Sequence, residues 1–330
     1  MKERGSASAV VLILILFLSA LFLAASLFLE LSLRQLRRSE ERDERRRSLL
    51  REARRTLQLL LEDPTPLSDS PRDPVWEGIQ RPVASGCTVE LRDLSSRLGL
   101  NWARQELLES LGILKPGHSA QELQQFREDT GIHLNLKPGF LTFFSEEDLD
   151  SLFTAYSYFN INIGDEFALR KLHFVRGGDL ARAEEFHVAI QQLRIQRKTV
   201  ESSDLEQKIG AQNYRLLYPL LNAEPAMNLH FVPASVLRGL FRHYQVPVEK
   251  AESILAVCPS TEFGASELEA LFGKEAFAKT PLRQYLGVRT WFWQIQVRCG
   301  EDGLSWVVAR LPGTEGPARL RLLEEEHFSP

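Results

Sequence analysis

The sequence predicts an α+β protein carried on one long N-terminal transmembrane helix. Three observations predict it. Gly5 to Leu29 reads GSASAVVLILILFLSALFLAASLFL with no charged side chain; a helix of about 20 apolar residues crosses the roughly 30 Å hydrocarbon core of a bilayer. From Ala120 to about Leu255 the apolar spacing is mainly helical. Tyr285–Arg310 alternates apolar and polar residues on both sides of Gly300-Glu301-Asp302-Gly303, the pattern of two strands joined by a hairpin.

The first helix is justified by what it lacks as well as what it contains. A secretory signal peptide has a shorter apolar region, about 7–15 residues, followed by a small-residue cleavage site. Here neither Pro nor Gly occurs from Ser6 to Asp63, and Leu29, Leu33, Leu36, Leu49, Leu50, Ala53, Leu57 and Leu60 carry an apolar stripe through an Arg- and Glu-rich segment. One helix therefore runs from lipid into an amphipathic extension and stops at Asp63-Pro64-Thr65-Pro66, where proline forbids continuation. The basic residues are unevenly placed: Lys2 and Arg4 precede the span, whereas Arg34, Arg37, Arg38, Arg42 and Arg45 to Arg47 follow it. Counted by the positive-inside rule, the C-terminal side faces the cytoplasm; the interspersed Glu30, Glu40, Glu41, Asp43 and Glu44 are weak topological determinants.

Beyond the Pro- and Ser-rich linker 64–74, GCTVELRD reads as a short strand, and Arg104–Leu111 as a helix closed by Gly112. Comparing the chain with itself aligns Asn160 with Asn228, Leu169-Arg170 with Leu237-Arg238, and Ala183-Glu184 with Ala251-Glu252. Two related helical hairpin units follow from that repeat. Asn160 and Asn228 are expected to cap backbone N–H groups at a helix start or a turn. Trp291, Phe292, Trp293 and Trp306 are read as one packed sheet face with its rim.

At 330 residues, 44% hydrophobic and 25% charged, with a net charge of −4, the chain has room for a membrane segment and about two ordinary domains. Nothing in that balance points to nucleic acid. Cys87, Cys258 and Cys299 are far apart and form no zinc-ligand spacing, so at most one internal disulfide is available; the expectation is three buried thiols, with a bridge between one unspecified pair if the head lies outside the cytoplasm. GxSxG, HExxH, P-loop and GxGxxG patterns are absent, and the seven histidines share no ligand-like spacing. No catalytic residue is assigned.

The short leader Met1-Lys2-Glu3-Arg4-Gly5, followed at once by the apolar helix, resembles the type IV prepilin signal. Val10 stands where most pilins and pseudopilins carry Glu, and Ser6 where Phe or Met is usual. The order of elements is similar to the minor pseudopilin K family of type II secretion systems (general secretion pathway protein K), a branch that lacks that Glu. The pieces carrying the similarity are Gly5–Leu61, Thr88–Asn101, Trp102–Asn222, Met227–Leu255 and Trp291–Leu311, nearly the whole chain, each motif loosely matched.

The resemblance implies a leader (1–5) cut by prepilin peptidase between Gly5 and Ser6, a transmembrane helix (6–29) and an amphipathic extension (30–63). It implies a pilin-like α/β core (75–101 and 281–311) with a large inserted helical domain of SAM-like or helix-hairpin type (102–280), closed by a flexible tail (312–330). It further implies a non-catalytic role at the tip of a pseudopilus in protein secretion, priming assembly with other minor pseudopilins on the inner-membrane secretion platform. The protein would be single-pass in the inner membrane with its C-terminal domain in the periplasm. Members of the family can bind calcium in the helical domain; the runs Glu146-Glu147-Asp148 and Asp165-Glu166 lack the alternating oxygen-ligand pattern, so no metal residues are carried over. The competing readings are an anchored protein whose helical hairpins bind DNA and a cytoplasm-facing scaffold.

Overall fold

The computed structural model describes the chain except residues 1–2, 81–85, 166–167, 169–179, 198, 259–260, 262, 274–279, 313–318 and 329–330. Helix α1 (Glu3–Leu61) is continuous over 59 residues, about 90 Å at 1.5 Å per residue. From Val11 to Leu29 its apolar stretch is exposed, and it alone among the described helices is long and apolar enough to cross a membrane. Near its C-terminal end the environment changes: Leu49, Ala53, Thr56 and Leu60, at helical spacing, are buried. α1 ends at Leu61, two residues before Asp63 and three before Pro64. A second helix, α2 (Pro74–Gln80), leads to strand β1 (Thr88–Asp93).

Between β1 and the C-terminal hairpin the chain forms three helical lobes, each drawn together at its base by a two-residue parallel bridge. In the first, β2 (Leu98–Gly99) pairs with β3 (Phe153–Thr154) and encloses α3 (Gln105–Leu111), α4 (Ala120–Thr130), α5 (Lys137–Phe140) and α6 (Glu146–Leu152). In the second, β4 (Phe159–Asn160) pairs with β5 (Leu221–Asn222) around α7 (Leu180–Gln196), α8 (Ser202–Ile209) and α9 (Ala211–Leu217). In the third, β6 (Met227–Asn228) pairs with β7 (Leu286–Gly287) around α10 (Ala234–His243), α11 (Val248–Val257), α12 (Ala265–Phe272) and α13 (Leu282–Tyr285).

The local chemistry is consistent with these boundaries. Ser119 and Glu122 form a reciprocal capping box at the start of α4, the Ser145 side chain caps α6, and Gly112 takes a left-handed φ of 68° after α3. The bridge geometry recurs in detail. The Leu100, Ile161 and Leu229 N–H groups donate to the Thr154, Asn222 and Gly287 carbonyls, and the Gly99, Asn160 and Asn228 carbonyls accept from Trp102, Ile163 and Phe231. The sequence repeat suggests two units beginning at Asn160 and Asn228; the geometry occurs three times among the described residues. The earliest is masked in sequence because Gly99 stands where the others have Asn. The first and third lobes share one apolar core, whereas the second has its own around Phe159, Phe186 and Ile190.

Strands β8 (Phe292–Cys299), β9 (Asp302–Arg310) and β10 (Leu320–Phe328) complete an antiparallel sheet of order β1-β8-β9-β10. Cys299 faces Asp302 across the β8–β9 turn, where Gly300 has φ +64°, a value that side chains with a Cβ resist. One face of the sheet packs Trp293, Ile295, Trp306 and Val308 with Leu49, Ala53 and Leu60 of α1. Trp291 and Phe292 lie in the cluster on the other side with Leu94 and Val307, so the aromatic cluster is divided between two cores rather than forming one face. Alternation along β8 separates Phe292 from Trp293, whereas Trp291 precedes the strand and is not bound by its alternation.

Two further expectations are corrected. The tail 312–330 is not uniformly flexible: Leu320–Phe328 is the fourth strand of the sheet, hydrogen-bonded to β9, although its side chains are mostly exposed. Its run Leu322-Leu323-Glu324-Glu325-Glu326 breaks strict alternation at a register shift between Leu322 and Glu324, which hides the strand from a period-two reading. The cysteines are not three thiols. Cys87 and Cys299 form a disulfide beside the β1–β8 ladder, and Cys258 remains free and buried.

Candidate functional site at the junction and along the first helix

The residues singled out in sequence go to different places. Gly5 and Ser6 lie in the first turns of α1, with their surroundings outside the described residues. Leu169 is outside the described residues, as is most of the connection HFVRGGDL. Leu237 is fully buried in the core shared by the first and third lobes, a packing position.

Asn160 and Asn228 are both buried, and they do equivalent work. Each Oδ1 accepts the backbone N–H two residues on, from Asn162 and His230 respectively, the Asx-turn pattern. Each Nδ2 then reaches out of its own lobe. Asn160 donates to the Glu224 carbonyl at 2.6 Å, tying the second lobe to the start of the third. Asn228 donates to the Asp69 carbonyl at 2.8 Å and to Thr290 Oγ1 at 3.1 Å, tying the third lobe to the linker and to the start of the sheet.

Asn228 thus opens onto a buried polar junction that sequence reasoning missed. The linker after α1 is folded inward, and Asp63, Asp69 and Asp73 are all buried. Facing them is Arg310, the last residue of β9, 2% exposed. Its Nη1 donates to Asp69 at 2.8 Å and its Nη2 lies 3.5 Å from Asp63, while its guanidinium sits 4.6 Å from the Trp293 ring centre. The Thr290 N–H donates to the same Asp69 oxygen, Oδ2, at 2.7 Å, and Thr290 Oγ1 donates to Asp93 at 2.7 Å. Asp93 also accepts from the backbone and hydroxyl groups of Ser95 and Ser96. One network therefore joins the end of α1, the end of β1, the third lobe and both strands of the hairpin. Asp69 and Asp73 in the segment read as a linker, Asp63 just before it, and an arginine closing the apolar run WVVAR were the signals available in sequence.

The electrostatics follow from burial. Removal from water pushes the Asp69 carboxyl up to about 7 against the opposing pull of Arg310. Asp93 is likewise raised by burial, opposed by its hydroxyl donors. The carboxylate oxygens of Asp63, Asp69 and Asp73 lie within 4.8 Å of one another, close enough to share a hard cation. Arg310 already brings positive charge to that position, and Thr65 and the Val75 N–H use further oxygens. The acidic runs noted in sequence are elsewhere: Glu146 pairs with Lys137, Asp148 bonds Ser145, and Asp165 lies 3.5 Å from the buried Arg127. The junction has the chemistry of a structural clamp, an immobilised guanidinium and hydroxyl donors held against buried carboxylates.

No protein-family model and no curated protein matches the chain. Among solved structures, the chain is similar to one in the GspK-GspI-GspJ complex of the type 2 secretion system from enterotoxigenic Escherichia coli, at 15% identity over 89% of this chain and 100% of that chain, with a TM-score of 0.35.

Proposed function

We propose that this protein is a non-catalytic minor pseudopilin of the K type. In this reading it is single-pass in the inner membrane with its head in the periplasm, at the tip of a type II secretion pseudopilus, where it primes assembly with other minor pseudopilins. The observation that carries the reading is α1: one uninterrupted helix that is apolar and exposed from Val11 to Leu29 while its last turns, Leu49 to Leu60, pack as the spine of the sheet. Such a helix transmits position in the membrane directly to the head. Assembly then proceeds by packing of apolar helices and not by chemistry, and the bulk of the three lobes limits addition beyond the tip. On the same reading the sheet, extended by β10, is the pilin-like core and the lobes are its insertion.

The Cys87–Cys299 disulfide supports an oxidising compartment for the head. The arginines after the span favour the opposite orientation, a cytoplasm-facing scaffold, by the positive-inside rule. Two measurements separate them. The mature N-terminus should begin at Ser6 in cells containing prepilin peptidase and at Met1 in cells without it. Cys87 and Cys299 should resist alkylation in intact cells until a reductant is added. An intact Met1 in both strains, with freely alkylated thiols, would sink the pseudopilin reading.

A further inference from the structure

Every residue from Leu33 to Glu44 is exposed, and the Arg45–Asp302 ion pair at 3.0 Å marks where the head meets α1. A bare helical stalk therefore separates the apolar run from the head. Its membrane end is basic. Arg34 is paired with Glu30 one turn back, whereas Arg37 and Arg38 have no carboxylate partner among the described residues. Beside these arginines the helix still exposes Leu33 and Leu36.

Two geometric facts bear on what this collar touches. Arg37 and Arg38 lie about 12–14 Å beyond Leu29, the end of the uncharged run, along the helix axis, so their long side chains must snorkel back to reach a headgroup layer roughly 5–8 Å deep on each side of the hydrocarbon. Side chains on an α-helix tilt toward its N-terminus, which for α1 is the membrane side. Both guanidiniums are thereby directed down onto the headgroups, and their planar forks match a phosphodiester bidentately.

We propose that Arg37 and Arg38 form a binding collar for the headgroups of anionic phospholipids, holding α1 at a set depth. The proposal rests on α1 being a membrane span and adds a lipid preference to it. Arg46 and Arg47 carry the same charge but lie about 26 Å beyond Leu29, out of reach of the headgroups, and serve as the internal control.

The test is reconstitution of the full chain into nanodiscs of equal parts phosphatidylglycerol and phosphatidylcholine, followed by native mass spectrometry of the lipids retained after extraction. Wild type should retain phosphatidylglycerol over phosphatidylcholine by roughly fivefold or more, the scale of one arginine at an anionic surface. The Arg37→Gln/Arg38→Gln variant should bring the ratio close to one, and Arg46→Gln/Arg47→Gln should leave it at the wild-type value. A ratio near one in wild type, or one that the collar substitutions leave unchanged, overturns the proposal. A collar variant that changes the number of copies per disc without changing the lipid ratio assigns these arginines to helix–helix contact and also overturns it. Failure of every variant to enter discs defeats the membrane-span reading itself, a separate result.

Discussion

At the scale of single residues, the junction concentrates more consequence than any other part of the molecule. Arg310 is a buried cation paired with Asp69 and Asp63, so removing it strands negative charge in the interior. Breaking a buried pair in this way costs about 3–5 kcal/mol. Arg310→Met should therefore lower the denaturation midpoint of the detergent-solubilised chain sharply, and a loss below about 1 kcal/mol would show that the clamp is dispensable. Asp69 makes a pH-dependent prediction. Burial holds its carboxyl at about 7, above its ordinary value of 3.8, so the folded state binds that proton more tightly than the unfolded chain does. Its contribution to stability is then greatest in acid and is lost as pH rises from about 4 through about 7. The stability of wild type relative to Asp69→Asn should fall across that window. A difference independent of pH would place the proton elsewhere in the cluster.

At the scale of elements, two connections hold parts that the chain keeps far apart. The Cys87–Cys299 disulfide joins β1 to β8 across a separation of 212 residues, spanning all three lobes. Replacing both cysteines by serine should cost about 2–5 kcal/mol, measured by denaturant titration with and without reductant; reductant should no longer affect the variant. The second connection is the crossing of α3 and α10. A Cβ on Gly239 would stand 2.3 Å from Leu111 Cδ2, so the two helices approach through the missing side chain. Gly239→Leu should overpack this contact by about 1–3 kcal/mol or more, detectable as a lowered thermal midpoint. The equivalent substitution at the open Gly117, whose φ is +91°, should cost only local backbone strain.

At the scale of the whole molecule, the architecture is an exposed apolar helix, a bare stalk, a sheet on the end of that same helix, and three lobes inserted between the first strand and the rest. That order makes position in the membrane separable from folding of the head. A bulky residue at Gly5 should block processing at Gly5–Ser6 and abolish incorporation into a fibre, while the thermal midpoint of the head stays at the wild-type value. Intact-mass analysis of the membrane-extracted variant checks the first half and calorimetry the second. Normal processing in the Gly5→Leu chain would detach the leader from any role in assembly.

What the sequence determined by itself was whatever depends on short-range pattern. The uncharged run ending at Leu29, the absence of Pro and Gly to Asp63, and the alternation around Gly300 dictate a long apolar helix, its extension and a hairpin, because hydrogen bonds to neighbours a few residues away and local burial decide them. The Asn160 and Asn228 repeat was legible for the same reason, since both side chains close turns on backbone two residues ahead. The tertiary structure alone decided what those side chains reach with their other ends. It folded a segment rich in Pro, Ser and Asp into the interior and placed Asp69 against Arg310, 241 residues away. It paired Cys87 with Cys299, added β10 to the sheet, and revealed the lobe that begins at Gly99. These contacts depend on residues brought together by closing long loops, and a buried charge is tolerated only once its distant partner has arrived. No local window of the sequence contains both halves of that bargain.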